Sequence, residues 1–270
     1  MISNDMLQNR TVIVTGAGRG LGRAIAERFA EAGAAVALAA RSTAELDEAT
    51  AAIRKNGGNA TAIATDVADP HQVDHLFATV RKEIGPVDIL VNNAGVIEPI
   101  DRFWNTRREQ WRHLLEINVL GALHCMRLAL YDMRRREWGR IINISSGAAE
   151  KSLPGTSLYS ASKAALERFA GTLAEELGEG DVAVTTYRPG KVDTQMQVDI
   201  RNTDSERFPY LDAFREAYDR GELWPPRQSA LGALWLATAP AAEIQGQVFH
   251  IDDPALQQRI ARDLGVEARR

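Results

Sequence analysis

The sequence predicts an α/β protein built on a single doubly wound parallel sheet with helices on both faces. Three observations carry this. Short apolar runs rich in β-branched residues alternate with amphipathic helical stretches, the order that produces parallel strands and crossover helices. The first such run leads into a glycine cluster, Gly16-Ala17-Gly18-Arg19-Gly20-Leu21-Gly22, that opens a helix. The length, 270 residues of which 45% are hydrophobic and 25% charged, suits one domain over residues 1–270 with one large core.

Thr11 to Thr15 is the first strand, and the helical pattern beyond the glycine turn runs through Ala32. Glycines are needed where the backbone takes positive φ or must let a ligand come close, and the helix start offers free N–H groups and a positive dipole end to a pyrophosphate. Gly16, Gly18, Arg19, Gly20, Leu21 and Gly22 are therefore candidate dinucleotide contacts, although a turn with a packing role alone would use the same glycines. Leu21 stands where a third glycine falls in the commonest dinucleotide fingerprint. Ala34 to Ala40 reads as the second strand. At its end, about twenty residues after the turn, NAD-type sites carry a ribose-binding acid. Here the chain has Ala40, Arg41 and Ser42. With no carboxylate for the ribose 2′-hydroxyl, and with Arg41 and Arg19 able to grip a 2′-phosphate, the expected cofactor is NADP(H) in preference to NAD(H).

A helix from Thr43 to Asn56, a strand from Ala60 to Thr65, a helix from Pro70 to Ile84 and a strand from Val87 to Asn92 continue the alternation. Asp66 and Val67 follow the third strand at the carboxyl edge, where open sheets bind ligands, so Asp66 either reaches the adenine or caps the next helix. His71, Asp74 and His75 superficially have metal-ligand spacing, but no third ligand is near, and they read as solvated surface with no metal expected. The fourth strand ends in Asn92-Asn93-Ala94-Gly95. Asparagine amides brace loops, and an Ala-Gly pair admits a ribose or nicotinamide, which makes Asn93, Ala94 and Gly95 candidates; a plain turn would use them too.

From Thr106 a long helical pattern carries Trp111, Leu114, Ile117 and Leu123, and Asn118 interrupts its apolar face. A buried amide must be hydrogen-bonded, so Asn118 is either a brace or a holder of ordered water. Arg140 to Ser145 supplies the fifth strand, with Ser146 at the carboxyl edge. Tyr159 and Lys163 then lie four positions apart in a helical stretch and share one face. A cation beside a phenol favours the phenolate, making Tyr159 a candidate proton donor; alone, the pair also fits a decorated helix surface. The sixth strand is expected from Asp181 to Tyr187.

Residues 195–226 form a long, charged connection with Phe208, Tyr210, Phe214, Tyr218 and Trp224. Such a connection above a sheet edge reads as a small helical substrate lid within the domain. Most of its aromatics are expected to pack it onto the body, with Met196 and Phe208 as candidate substrate contacts. Ala230 to Ala239 reads as a helix, Val248 to Ile251 as the last strand and Pro254 to Leu264 as a terminal helix.

The net charge of −4 and pI near 5.8 offer no basic field for nucleic acid, and Arg134-Arg135-Arg136 reads as solvated surface at a helix end. The single cysteine, Cys125, excludes an intramolecular disulfide and reads as inert core. The first ten residues lack the profile of a secretion signal, and no uninterrupted apolar run reaches membrane-spanning length. The expectation is a soluble cytoplasmic protein with no nucleic-acid or membrane partner.

Taken in order, Thr15-Gly16-x-x-x-Gly20-x-Gly22, Asn92-Asn93-Ala94-Gly95, Asn118, Ser146, Tyr159-x-x-x-Lys163 and Pro189-Gly190-x-Val192-x-Thr194 resemble the short-chain dehydrogenase/reductase family. The thirteen-position separation from Ser146 to Tyr159 favours Ser146 over Ser145 as that family's serine. The resemblance implies a Rossmann-like fold and hydride transfer between a nicotinamide and a small or medium carbonyl or secondary alcohol. Tyr159 would be the general acid or base, Ser146 would hydrogen-bond the substrate oxygen, and Asn118 would fix a water. Lys163 would depress the tyrosine pKa and hold the nicotinamide ribose. Val192 and Thr194, after Pro189 and Gly190, would lie against the carboxamide. It also implies a homodimer or homotetramer. The stretch from Val192 to Arg201 with Gly221-x-Leu223-x-Pro225 is similar to sepiapterin and benzil reductases, whereas the body and the tail Gly246 to Asp252 are similar to ketoacyl reductases, without the glycine pair that follows that aspartate in them. The alternative is a non-catalytic NADP(H)-binding regulatory protein that keeps the platform without turnover.

Overall fold

The computed structural model describes Ser3 and residues 5–267. Seven strands, β1 (Thr11–Thr15), β2 (Ala35–Ala40), β3 (Asn59–Ala64), β4 (Ile89–Asn92), β5 (Gly139–Ile144), β6 (Val182–Arg188) and β7 (Val248–His250), form one parallel sheet in the order β3-β2-β1-β4-β5-β6-β7. The helices are α1 (Gly20–Glu31), α2 (Thr43–Lys55), α3 (Pro70–Glu83), α4 (Arg108–Leu115), α5 (Ala122–Arg135), α6 (Ser157–Leu177), α7 (Gln195–Arg201), α8 (Leu211–Asp219), α9 (Pro226–Thr238), α10 (Ala241–Ile244) and α11 (Pro254–Leu264).

Alternation along the strands explains the two layers. Val12, Val14, Val36 and Leu38 face one way and pack with Phe29 of α1, Leu46 of α2 and Leu234 of α9. Ile13, Ala37, Leu90 and Val184 face the other way and pack with Phe77 of α3, Met126 of α5 and Leu166 of α6. Both faces are dry, so the strands read as near-continuous apolar runs. After β3 the chain crosses back over β1 to start β4, and the crevice between the carboxyl ends of β1 and β4 is where such sheets bind ligands.

Element boundaries fall within a few residues of the pattern, and the departures have local causes. The Val87 N–H donates to Asp132 Oδ2 at 3.1 Å, which delays β4 to Ile89. α9 begins at Pro226, earlier than Ala230, because proline lacks the N–H that a first helical turn leaves unpaired. α4 continues through a π-helical turn, Glu116–Gly121, into α5. The resulting 28-residue helix, Arg108–Arg135, is long and apolar enough to cross a membrane by length and composition alone, although polar and charged residues interrupt its apolar run. In this fold its Ile117, Cys125 and Met126 are packed in the core.

Arg134, Arg135 and Arg136 are exposed, as their reading as solvated surface expected, and from that surface the Arg136 guanidinium also reaches the buried Asp88 carboxylate at 2.9 Å. Cys125 is buried, and burial pushes its thiol up to about 12. His71 and His75 are exposed on α3, while Asp74 reaches His124 at 3.2 Å. The tail without the glycine pair folds as α11, where Leu256, Ile260 and Leu264 are buried and the Trp235 indole donates to Asp263 Oδ2 at 2.9 Å.

Candidate active site

A cleft of about 1500 Å³ runs along the carboxyl edge of the sheet, from the glycine turn to α7 and α8. At its first end Gly16 has φ 64°, and a Cβ there would stand 2.9 Å from the Ala94 backbone. Gly22 has no room for a Cβ against the Gly16 carbonyl and the Asn93 amide. The turn therefore closes tightly, and α1 starts without a side-chain cap, leaving its first N–H groups facing the cleft. Asn93 acts as the brace of this turn: its Nδ2 donates to the Thr15 and Gly16 carbonyls at 2.9 and 3.1 Å. Thr194 reaches over from the far wall to Gly20.

At the end of β2, Ala40 offers no acceptor, Arg41 is exposed and the Ser42 hydroxyl caps α2 by accepting the Glu45 N–H at 3.3 Å. Glu45, which the sequence pattern did not single out, lies 3.5 Å from the Arg19 guanidinium. Asp66 does not cap α3; Asp69 does, and the Asp66 carboxylate accepts the Ala68 N–H at 3.0 Å in the cleft wall beside Val67.

In the middle of the cleft, β5 delivers Ser146 and α6 delivers Tyr159 and Lys163. The Ser146 hydroxyl accepts the Ala148 N–H at 3.1 Å, which fixes its oxygen while leaving its proton to give. Ser145 is turned away, donating to Glu167 at 2.6 Å. Lys163 donates to the Ile144 carbonyl at 2.9 Å, and its nitrogen lies 5.8 Å from the centre of the Tyr159 ring. Asn118 is not in the wall. It is buried behind it in the π-helical turn, its Oδ1 accepting the Val96 N–H at 2.8 Å and its Nδ2 donating to the Val96 carbonyl at 2.8 Å and to Ser162 Oγ at 3.1 Å. Gly95 lies over the Asn118 oxygen and the Lys163 amine.

The electrostatics depart from the expected acidic phenol. Burial holds the Tyr159 hydroxyl above its ordinary value, with contact to Ser146 opposing this. Burial also lowers the Lys163 amine to about 8, with Glu167 opposing. Taking both groups out of water disfavours phenolate and ammonium alike, and the amine spends a proton on a carbonyl rather than on the phenol.

The remaining wall comes from Pro189, Gly190 and Val192 after β6, then Met196 and Phe208. Val192 bridges to Trp224, tying the two ends of the α7–α8 segment together. Phe208 is buried against Tyr159, Ile97 and Leu114 and meets Phe214 edge-on at 5.2 Å, so it both lines the cleft and packs the segment. Trp224 is buried, whereas Tyr210 and Tyr218 are exposed. The structure thus brings every candidate except Asn118 to one cleft.

The model for short chain dehydrogenases matches residues 10–205. The chain is 35% identical to the short-chain reductase protein NovJ of Streptomyces niveus over 91% of this chain and 93% of that protein. It is 34% identical to a 3-oxoacyl-[acyl-carrier-protein] reductase of Synechocystis over 91% and 96% respectively. Among solved structures, the KRED1-Pglu enzyme superposes with a TM-score of 0.82 at 31% identity, covering 89% of this chain and 100% of that one. An actinorhodin polyketide ketoreductase variant with NADPH superposes with a TM-score of 0.81 at 30% identity, covering 93% and 97%. A parallel seven-stranded sheet with a glycine turn at its switch point, a Ser, Tyr and Lys gathered beyond it and these likenesses along most of its length make this chain a member of the short-chain dehydrogenase family.

Proposed function

We propose that this oxidoreductase uses NADP(H) to interconvert a small or medium carbonyl and its secondary alcohol. The observation that carries the reading is the gathering of Ser146, Tyr159 and Lys163 in one cleft with the glycine turn and Arg41. The cleft fits a dinucleotide: the tight turn and uncapped α1 suit a pyrophosphate, and the small Ala94 and Gly95 leave space beside Lys163. Arg19, Arg41, Ser42 and the start of α2 would take the 2′-phosphate; Gly16, Gly18, Gly20, Leu21 and Gly22 the pyrophosphate; Asp66 and Val67 the adenine side; Pro189, Gly190, Val192 and Thr194 the carboxamide. The NADPH in the ketoreductase neighbour supports the same preference. Bound there, the cofactor supplies the hydride.

The residues do the proton work. A phenol held above its ordinary value is protonated at neutral pH, so Tyr159 is fit to give its proton to a developing alkoxide. Ser146, its oxygen already fixed by Ala148, donates to the same substrate oxygen and stabilises charge as it forms. Lys163, mostly cationic below pH 8, holds the ribose and stabilises the phenolate that Tyr159 becomes. Asn118 keeps the Val96 loop and Ser162 in place behind them, and an ordered water beside it would link Lys163 to solvent. Residues 195–226 act as the lid, with Met196 and Phe208 against the substrate. The relatives that reduce 3-oxoacyl groups support a ketone as substrate.

Exposed Leu120 and Tyr131 on the long helix and Phe169 on α6 support assembly as a homodimer or homotetramer. The lone buried cysteine suits a cytoplasmic setting. The experiment is NADPH oxidation with a panel of diketones, ketoacyl thioesters and simple ketones, with Tyr159→Phe as control. Tight NADPH binding with no oxidation across the panel would replace this reading with the non-catalytic regulatory one.

A further inference from the structure

A cluster of charge lies directly behind the reacting groups and takes no part in the chemistry described above. The Glu167 carboxylate accepts from Ser145 Oγ at 2.6 Å, from Arg188 Nε at 2.9 Å and from Arg188 Nη2 at 2.8 Å. The Arg188 Nη1 continues to Glu150 Oε2 at 2.5 Å. Both Glu167 and Arg188 side chains are only 13% exposed. One carboxylate therefore joins three pieces of backbone. Ser145 immediately precedes Ser146, Arg188 immediately precedes Pro189-Gly190, and Glu167 stands one helical turn after Lys163 on α6.

We propose that Glu167 and Arg188 are positioning residues of the reaction: their fork-to-fork pair locks the ends of β5 and β6 against α6 and holds the Lys163 amine in place. This rests on the oxidoreductase reading above. Two hydrogen bonds between planar groups fix orientation as well as distance, which a lysine in place of Arg188 would not do. The charged and titratable groups around the amine are Tyr159, whose ring centre lies 5.8 Å away, and Glu167 on its own helix, with Arg188 of β6 paired to Glu167; from the other elements the neutral Ile144 carbonyl accepts from it, and the Asn118 oxygen borders the same space over Gly95. Glu167 favours the ammonium, opposing the burial that lowers the amine. A pair serving stability alone would leave the amine's titration and the pH dependence of turnover indifferent to its loss.

The test uses Glu167→Gln, which keeps shape but removes charge, and Arg188→Lys, which keeps charge but removes the fork, each as the NADPH complex. Lysine carbon-13 NMR follows the Lys163 amine, assigned by its loss in Lys163→Arg, alongside kcat, cofactor Kd and melting temperature. Glu167→Gln should move the amine titration and the alkaline limb of kcat down by about one pH unit. It should lower kcat by about tenfold while NADPH Kd changes by less than about threefold, and Arg188→Lys should lower kcat without the titration shift. An unchanged amine titration and pH limb in Glu167→Gln, whatever happens to melting temperature, would overturn the proposal. The two readings separate cleanly. If the wild type oxidises no NADPH but the amine still shifts, the oxidoreductase reading falls and the clamp stands; if the wild type turns over and Glu167→Gln matches it throughout, the clamp alone falls.

Discussion

The Lys163 amine donates to the main-chain oxygen of Ile144 at 2.9 Å, which anchors it to the end of β5 and leaves the rest of its charge buried. An ammonium taken from water to this position is lowered from 10.5 to about 8. Because the folded chain releases that proton more readily than the unfolded one, the penalty is complete below pH 8 and is relieved as pH rises from there to 10.5. It corresponds to about 3 kcal/mol at neutral pH. Lys163→Met should therefore raise the unfolding midpoint at pH 7 while abolishing turnover, and denaturant melts should show wild-type stability approaching that of the variant above pH 10. A variant that is less stable than wild type at pH 7 would contradict this.

Removing only the Tyr159 hydroxyl tests the proton donor. Tyr159→Phe keeps the ring that packs against Phe208 and Leu114, so folding and NADPH affinity should hold. The rate of hydride transfer should fall by about 10²–10⁴, the usual contribution of a positioned acid. Single-turnover kinetics with bound NADPH distinguish this from a change in product release.

The cofactor pocket holds an acid as well as its arginines. Glu45 sits 3.5 Å from Arg19 and competes with any 2′-phosphate for that guanidinium. Glu45→Gln should tighten NADPH by roughly threefold and leave NADH unchanged, since both groups are partly solvated and the charge effect is screened. Ala40→Asp should do the reverse, adding a ribose acceptor and repelling the phosphate, so that the NADPH to NADH preference falls by about tenfold or more. Titration of both cofactors against each variant checks the pair.

Sequence periodicity carried the sheet, both helical layers and the order of the site because each rests on local pattern: alternation in β1, the glycine turn, and the four-residue step from Tyr159 to Lys163. What it missed depends on pairs far apart in the chain. Arg136 is surface as its pattern says, but nothing local shows that Asp88 lies beneath it, and of the two readings open for Asp66 the cap falls to Asp69. Glu167 was legible in part, standing one turn beyond Lys163, but nothing local says that Arg188 of β6 will meet it. The acidic phenol expected from Lys163 failed for the same reason: spacing records which groups share a face and not how much water the fold removes from both.

Asn118 gives the sharpest test of a brace, because its partners leave no freedom in which way its amide faces. Its Nδ2 meets the Val96 carbonyl at 2.8 Å and Ser162 Oγ at 3.1 Å, and Ser162 has already given its proton to the Tyr159 carbonyl at 2.7 Å. Neither partner can donate. Asn118→Asp keeps the shape yet sets a carboxylate against two acceptors in a site that is 1% exposed. A buried acceptor facing acceptors costs about 1–3 kcal/mol, more when charged, so this substitution should destabilise more than Asn118→Ala, which removes the donor to the Val96 carbonyl and Ser162 and the acceptor of the Val96 N–H but buries no charge. The acid form carries one proton to give, and the native fold therefore raises that carboxyl above its unfolded value. Its stability should then be greatest in acid and fall as pH rises through the folded value. Urea melts of both variants across pH 4 to 8 read the order and the slope; equal stability of the two at neutral pH would show that the amide does not hold Val96 and Ser162 together.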